Sequence, residues 1–360
     1  MQAIRFGVDL AKSVFQVHGV DAAGAVVVQR QLRREQMLKF FRSQPPALIG
    51  LEACGSAHYW ARELIALGHE VKLMPAAYVK AYVRRNKNDA RDAEAACEAV
   101  SRPTMRFVPV KSVDQQCQRA LHRARDLLVR QRTQLANAIR GLLYEMGQIG
   151  SKGSAGIKQL LERIETSDAA LPRQLLLSLK PLAAQWRAIE GQVRVFDAQI
   201  LAQARQDSAA RRLMTIPGVG AVTAHAVIAA IGTGAQFDSG RDFAAWVGLT
   251  RHNHDTGGKT KLTGRVSKAG DRGLRRLLVL GASSHLRHIK ARPQDQTHWI
   301  RGVLARRPVR VAVVAQAAKT ARIVWALLQS EQTYQPAARP RSAGRRGLGL
   351  GEDLAAPQTA

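Results

Sequence analysis

The order of apolar runs in the first 74 residues limits the fold more than any other part of the chain. Residues 4–9 alternate apolar and polar, 13–20 alternate again, and 25–28 form a third apolar run after the turn Asp21-Ala22-Ala23-Gly24. Residues 33–43 read as a helix stopped by Pro45-Pro46. Residues 47–52 are a buried strand, 57–67 a helix and 70–74 a fifth strand. Pro75 then opens a helical stretch leading to Lys87-Asn88-Asp89-Ala90-Arg91-Asp92-Ala93-Glu94. The order β-β-β-α-β-α-β-α predicts an α/β domain with a mixed sheet, antiparallel at its start and parallel later.

Carboxylates sit at the ends of this pattern. Asp9 ends the first strand, Glu52 ends the fourth, and Asp89 and Asp92 share one helical face, a turn apart. In an open α/β sheet, groups at the carboxyl ends of neighbouring strands converge on one rim. A helix against that rim can complete a four-carboxylate cage. Oxygen-only ligands suit Mg²⁺ or Mn²⁺, and such a cage holds two divalent ions about 4 Å apart that polarise a phosphodiester. Taken alone, Asp89 and Asp92 also fit a solvated acidic first turn favoured by the helix dipole.

Charge names the class of partner. The chain of 360 residues carries a formal net charge of +28, which points to a polyanion, nucleic acid first. The excess is concentrated: between Arg251 and Arg322 there are seventeen Lys or Arg against three Asp and no Glu. A genome that favours Arg accounts for part of the excess, but not for so one-sided a cluster. Three cysteines without a Cys-x-x-Cys pair give no disulfide framework, and no signal peptide or uncharged apolar run of membrane length is evident. The expected compartment is the cytoplasm, at the nucleoid.

The peptides Gly7-Val8-Asp9-Leu10-Ala11-Lys12, Leu51-Glu52-Ala53-Cys54-Gly55 and Lys87-Asn88-Asp89-Ala90-Arg91-Asp92-Ala93 together resemble the Asp-Glu-Asp-Asp signature of transposases of bacterial insertion sequence family 110. The resemblance extends to about residue 328. It implies an RNase H-like domain similar to the RuvC Holliday-junction resolvase over residues 1–111, with Asp9, Glu52, Asp89 and Asp92 as metal ligands. It also implies a DNA substrate, a multimeric assembly, and possible guidance by a structured RNA encoded in the element.

Residues 112–146 contain no proline, and Leu121, Leu128, Leu135 and Leu142 recur every seven residues. This predicts a long helix that pairs as a coiled coil, between protomers or in an antiparallel bundle within one. The helical segment as a whole spans 112–209. Ile216-Pro217-Gly218-Val219-Gly220 has the form of a helix-hairpin-helix turn, where Gly218 and Gly220 let backbone N–H groups approach a phosphate, or of a plain helix connection.

From 210 to 330 the chain resembles the C-terminal transposase domain of the same family, expected to be mainly helical. Asn253-His254-Asp255-Thr256-Gly257-Gly258-Lys259-Thr260-Lys261 reads as a mobile cationic loop for a nucleic-acid backbone, followed by Arg265, Lys268 and Arg275. Lys12, Lys87 and Arg91 supply cations beside the acids. Family members carry a nucleophilic Ser where this chain has Asp255, so Thr256 is the candidate nucleophile, with Ser267 second and a decayed site third. The histidines of this region lack zinc-site spacing. Residues 331–360 read as a disordered basic tail. The implied activity is DNA strand cleavage and rejoining. Its rivals are a nuclease that uses water and a silent nucleic-acid-binding relative.

Overall fold

Five strands make one mixed sheet: β1 (Arg5–Leu10), β2 (Val14–Val20), β3 (Val26–Arg33), β4 (Leu48–Glu52) and β5 (Glu70–Met74), in the order β3-β2-β1-β4-β5. The structure is a computed structural model describing residues 2–83, 88–167, 170–257, 259–291 and 298–336. Lys87, the tail from 337 onward and the side chains of Asp255, Thr256, Lys259 and Lys261 lie outside it. β1–β3 pair antiparallel, and β4 and β5 add in parallel through helical crossovers.

Alternation sorts the residues onto two faces. Phe6, Val8, Phe15, Ile49 and Leu51 point to one side, where α1 (Met37–Arg42) and α2 (Ala57–Ala66) cover them with Phe41, Trp60 and Leu64. Edge-to-face ring pairs, Phe6–Phe41 and Phe15–Trp60, fill this layer. The helical stretch expected after Pro75 is interrupted. α3 (Ala76–Val79) and a 3₁₀ turn end at Val83, whose backbone is extended, and α4 (Asp89–Ala99) starts afresh on the opposite face of the sheet. Residues 106–110 approach the edge of the sheet without forming a strand. Val108 makes a single bridge to Leu73, and Pro109 has no N–H with which to continue a ladder.

α5 (Val113–Glu145) opens with a Ser112/Gln115 capping box. It runs antiparallel to α7 (Arg173–Gln206), as the ion pairs Arg125–Asp197 and Arg132–Glu190 show: the numbers rise on one helix and fall on the other. α6 (Gly153–Glu165) closes this bundle, where Leu135 and Leu142 pack with Leu160, Leu161 and Trp186. Part of the leucine heptad is thus used within the protomer.

The C-terminal core surrounds α9 (Ala221–Ile231), joined to α8 (Ser208–Met214) by the Gly218 turn. α10 (Gly240–Trp246), the hairpin β6 (Arg251–Thr256) and β7 (Lys259–Val266), α11 (Arg272–Ala291), α12 (His298–Arg306) and α13 (Val309–Leu328) follow. The expected cationic loop is therefore a two-stranded hairpin, with Gly257 at φ +57° following β6. α13 has the length and apolar composition to cross a membrane. Its Ala317, Ala321 and Val324 are nevertheless buried in the C-terminal core.

Candidate active site

The acids meet because a helix lies on glycine. Gly7 and Gly50 are neighbours in the β1–β4 register and point to the α4 face. A Cβ at Gly50 would stand 2.7 Å from Ala96 O, and one at Gly7 would stand 2.1 Å from Ala93 O. Only hydrogen fits there. α4 meets this floor with Ala93, Ala96 and Cys97, all buried, so its backbone rests on the sheet.

Asp9 shares the face of Gly7, two residues further along β1. Asp89 and Asp92 occupy the first turn of α4, on the extension of its buried stripe. Asn88 caps that turn, its side chain accepting from Arg91 N at 2.9 Å. The helix dipole lowers the cost of two carboxylates there. As a result, one oxygen from each of Asp9, Asp89 and Asp92 lies within 4.8 Å of the others. Asp9 and Asp92 are half-buried and Asp89 is exposed.

Glu52, the fourth acid expected, stands outside this mutually close group. Continuing the Val8–Leu51 register sets it beside Asp9 on the same face, yet the mutually close group does not include it. β4 ends at Glu52, where Cys54 N donates to Glu52 O at 2.8 Å, and the chain turns away from the sheet. Glu52 flanks the three acids.

The other predicted residues are spread over the molecule. Lys12 is exposed in the β1–β2 turn, and Arg91 is half-buried in the first turn of α4. Gly218 has φ of +85° and contacts the backbone of Gly281 on α11, whereas Gly220 caps α9 with open space around its Cα. Gly218 thus serves the packing of the turn. The Thr256 backbone pairs with Lys259 across the hairpin tip. Ser267 is half-buried, and its Oγ accepts from Ala269 N at 3.4 Å. Arg265 and Lys268 are exposed. Arg275 uses its guanidinium on the backbone, donating to Val247 O at 2.8 Å and to Ala269 O at 2.5 Å, so it braces the loop before α11.

Comparison with known proteins decides the family. A family of the DEDD type described as "Transposase" matches residues 6–147, and "Transposase IS116/IS110/IS902 family" matches residues 210–298. A Pseudomonas aeruginosa protein named "Probable family 20 transposase" is 48% identical over 93% of this chain and 100% of its own length. The chain belongs to the IS116/IS110/IS902 transposase family. Two further relatives agree. The transposase for insertion sequence element IS1328 of Yersinia enterocolitica is 38% identical over 89% of this chain and 95% of its own. That for IS1111A of Coxiella burnetii is 38% identical over 91% and 90%. This transposase is therefore an enzyme acting on DNA, of a DEDD family that uses divalent metal.

The residues fit such a metal. Three carboxylates held together by β1 and α4 repel one another in the absence of a cation, and an all-oxygen set suits a hard divalent ion. Sequence reading missed a cationic group beside the segment that follows Glu52, Ala53-Cys54-Gly55: His58, Lys111, Arg119 and Arg123. Its members come from three separate segments, so no motif announces them.

Proposed function

We propose that this transposase moves an insertion sequence by cutting and rejoining DNA phosphodiesters at Asp9, Asp89 and Asp92, with Glu52 as the flanking fourth acid. The meeting of the three carboxylates at the α4–β1 contact carries this reading. The strand order β3-β2-β1-β4-β5 supports an RNase H-like, RuvC-like assignment for residues 1–111. When bound, Mg²⁺ or Mn²⁺ would supply Lewis-acid polarisation of the phosphoryl oxygens. The chain's own contribution is placement. β1 and α4 hold the ligands, and cations around the site neutralise the strand.

The nucleophile in this reading is the Thr256 hydroxyl, with Ser267 as the alternative. An Oγ–P bond forms as one P–O bond to a deoxyribose breaks, and the departing sugar oxygen takes the proton. Attack by a sugar hydroxyl on that protein phosphoester reverses the exchange and rejoins DNA without ATP. The net charge of +28 accommodates an element-encoded guide RNA as well as DNA. A multimer is expected to assemble through the helical segment of residues 112–209. The setting is the bacterial cytoplasm.

The test uses end-labelled DNA carrying the element's junction, run on denaturing gels with Mg²⁺. A protein-linked band that is lost in both Asp92→Asn and Thr256→Ala supports the full reading. Free 5′-phosphate ends that persist in Thr256→Ala would identify a nuclease using water, which Asp255 in the nucleophile region also favours. Cleavage unaffected by Asp92→Asn would overturn the metal site.

A further inference from the structure

Immediately after Glu52, the segment Ala53-Cys54-Gly55 forms one wall of a pocket of about 330 Å³ whose other walls are His58, Lys111, Gln116, Arg119 and Arg123. Basic groups crowd this space. Arg62 lies behind it, with Nη1 donating to Lys111 O at 2.7 Å and to Gln116 Oε1 at 2.6 Å. Arg119 is paired with Asp271 at 3.1 Å. Among the described residues no carboxylate is within ion-pair distance of Lys111 or Arg123, so the cluster holds more positive charge than its surroundings neutralise.

The hydrogen bonds define what is missing. Lys111 N donates to His58 Nδ1 at 3.2 Å. A neutral imidazole that accepts at Nδ1 must carry its proton at Nε2. That Nε2 lies 3.5 Å from Lys111 Nζ. Two donors therefore face each other, and neither can satisfy the other while the lysine is charged. An oxygen that accepts from both would resolve the conflict, and a negative one would also offset the guanidinium of Arg123. Consistent with this crowding, burial and the neighbouring Arg119 and Arg123 push Lys111 down to about 8, while burial and Lys111 push His58 down to about 4.

We propose that this pocket is a seat for a DNA backbone phosphate, held by His58 Nε2–H, the Lys111 ammonium and the Arg123 guanidinium, next along the strand from the phosphate at the carboxylates. It rests on the reading of Asp9, Asp89 and Asp92 as the cleavage site only for the identity of the strand. The wall of the pocket continues β4 directly beyond Glu52, so the strand that lies at the acids passes over it. The seat fixes the register of that strand and reads no base.

The experiment measures binding of a short fluorescein-labelled single-stranded DNA to the full chain by anisotropy over a salt series, without divalent metal. Each phosphate neutralised contributes about 0.7 to the slope of log K against log salt for single strands. Lys111→Gln with Arg123→Gln is expected to reduce that slope by about 0.7, one phosphate's share, and to weaken binding about tenfold or more at low salt. Lys111→Arg should retain it. The DNA-free double variant should melt at the wild-type temperature or above, because removing crowded cations relieves repulsion. An unchanged slope overturns the seat, whether or not the melting temperature falls. Loss of affinity for an RNA hairpin with DNA binding intact overturns the DNA assignment. Asp92→Asn separates the two readings: retained DNA affinity with lost cleavage supports both. A reduced slope in the double variant, with cleavage surviving in Asp92→Asn, would leave the seat standing and the cleavage site refuted.

Discussion

Gly7 of β1 lies directly against Cys97 of α4: a Cβ on the glycine would stand 2.2 Å from the Cys97 nitrogen. This contact, not the acids themselves, sets the distance between Asp9 and the first turn of α4. Gly7→Ala must push the helix outward and carry Asp89 and Asp92 with it. The expected cost is about 1–3 kcal/mol from overpacking, read as a lower melting temperature, together with weaker Mn²⁺ binding by calorimetry. Gly141→Ala is the contrast. That position on α5 is open, and the change should stabilise by roughly 0.5–1 kcal/mol without touching metal affinity. Equal Mn²⁺ binding in wild type and Gly7→Ala would show that α4 does not set the site.

Asp92→Asn removes one of three mutually close carboxylates. Without metal, two effects oppose: relief of repulsion and loss of a favourable charge in the first turn of α4. The melting temperature should therefore change little. With Mg²⁺ or Mn²⁺, wild type should gain stability by mass action, and the variant should lose most of that gain. Identical metal-induced shifts in differential scanning fluorimetry would count against ligation by Asp92.

DNA binding should weaken above about pH 8 through Lys111. Its charge in the free protein is disfavoured by burial and by Arg119 and Arg123, against a weaker opposing effect of Asp271. His58 and Arg62 on α2 also face it. A bound phosphate favours the charged form, so affinity is flat below the free-state value and falls as pH rises through it. Lys111→Arg should abolish this fall. Anisotropy from pH 7 to 9.5 that declines equally in both proteins would assign the effect elsewhere.

Acid should loosen the joint between α5 and α9. His122 Nε2 and His225 Nδ1 are 2.8 Å apart, a contact that needs one donor and one acceptor. Burial and His225 hold His122 down to about 4, and burial lowers His225. Both are bases whose folded values lie below their unfolded ones. Stability is therefore complete above the unfolded value near 6.5 and declines as pH falls towards about 4. The melting temperature of wild type should drop across this window. His122→Gln, which keeps a polar group but does not titrate, should show a shallower drop. Parallel curves would exclude the pair as the cause.

Much of the N-terminal domain is legible in the chain because local pattern and tertiary role agree there. Alternation over residues 4–9 and the apolar run over 47–52 mark strands, each closed by a carboxylate, Asp9 and Glu52. The C-terminal region is less transparent. Residues 253–261 read as a loop because their polar and glycine content hides a hairpin held by backbone pairing. Arg275 reads as a phosphate contact, and the fold adds a second role the sequence does not show: its Nη1 donates to Val247 O and Ala269 O. An isolated arginine in a sequence does not disclose which carbonyls lie within reach.

The sequence by itself determined the succession of strands and helices over its first 74 residues, the acids at the strand ends, the long helix beginning at Ser112 and the polyanionic character of the partner, because each depends on local periodicity or summed charge. Tertiary structure decided which charges meet. Gly7 and Gly50 admit α4 closely enough to gather three acids and leave Glu52 at their edge, and α2 and α5 bring His58, Lys111 and Arg123 to one pocket. Hydrogen bonds reach about 3 Å and exposed charges are screened within about 10 Å, so groups far apart along the chain acquire chemistry only once packing fixes their separation.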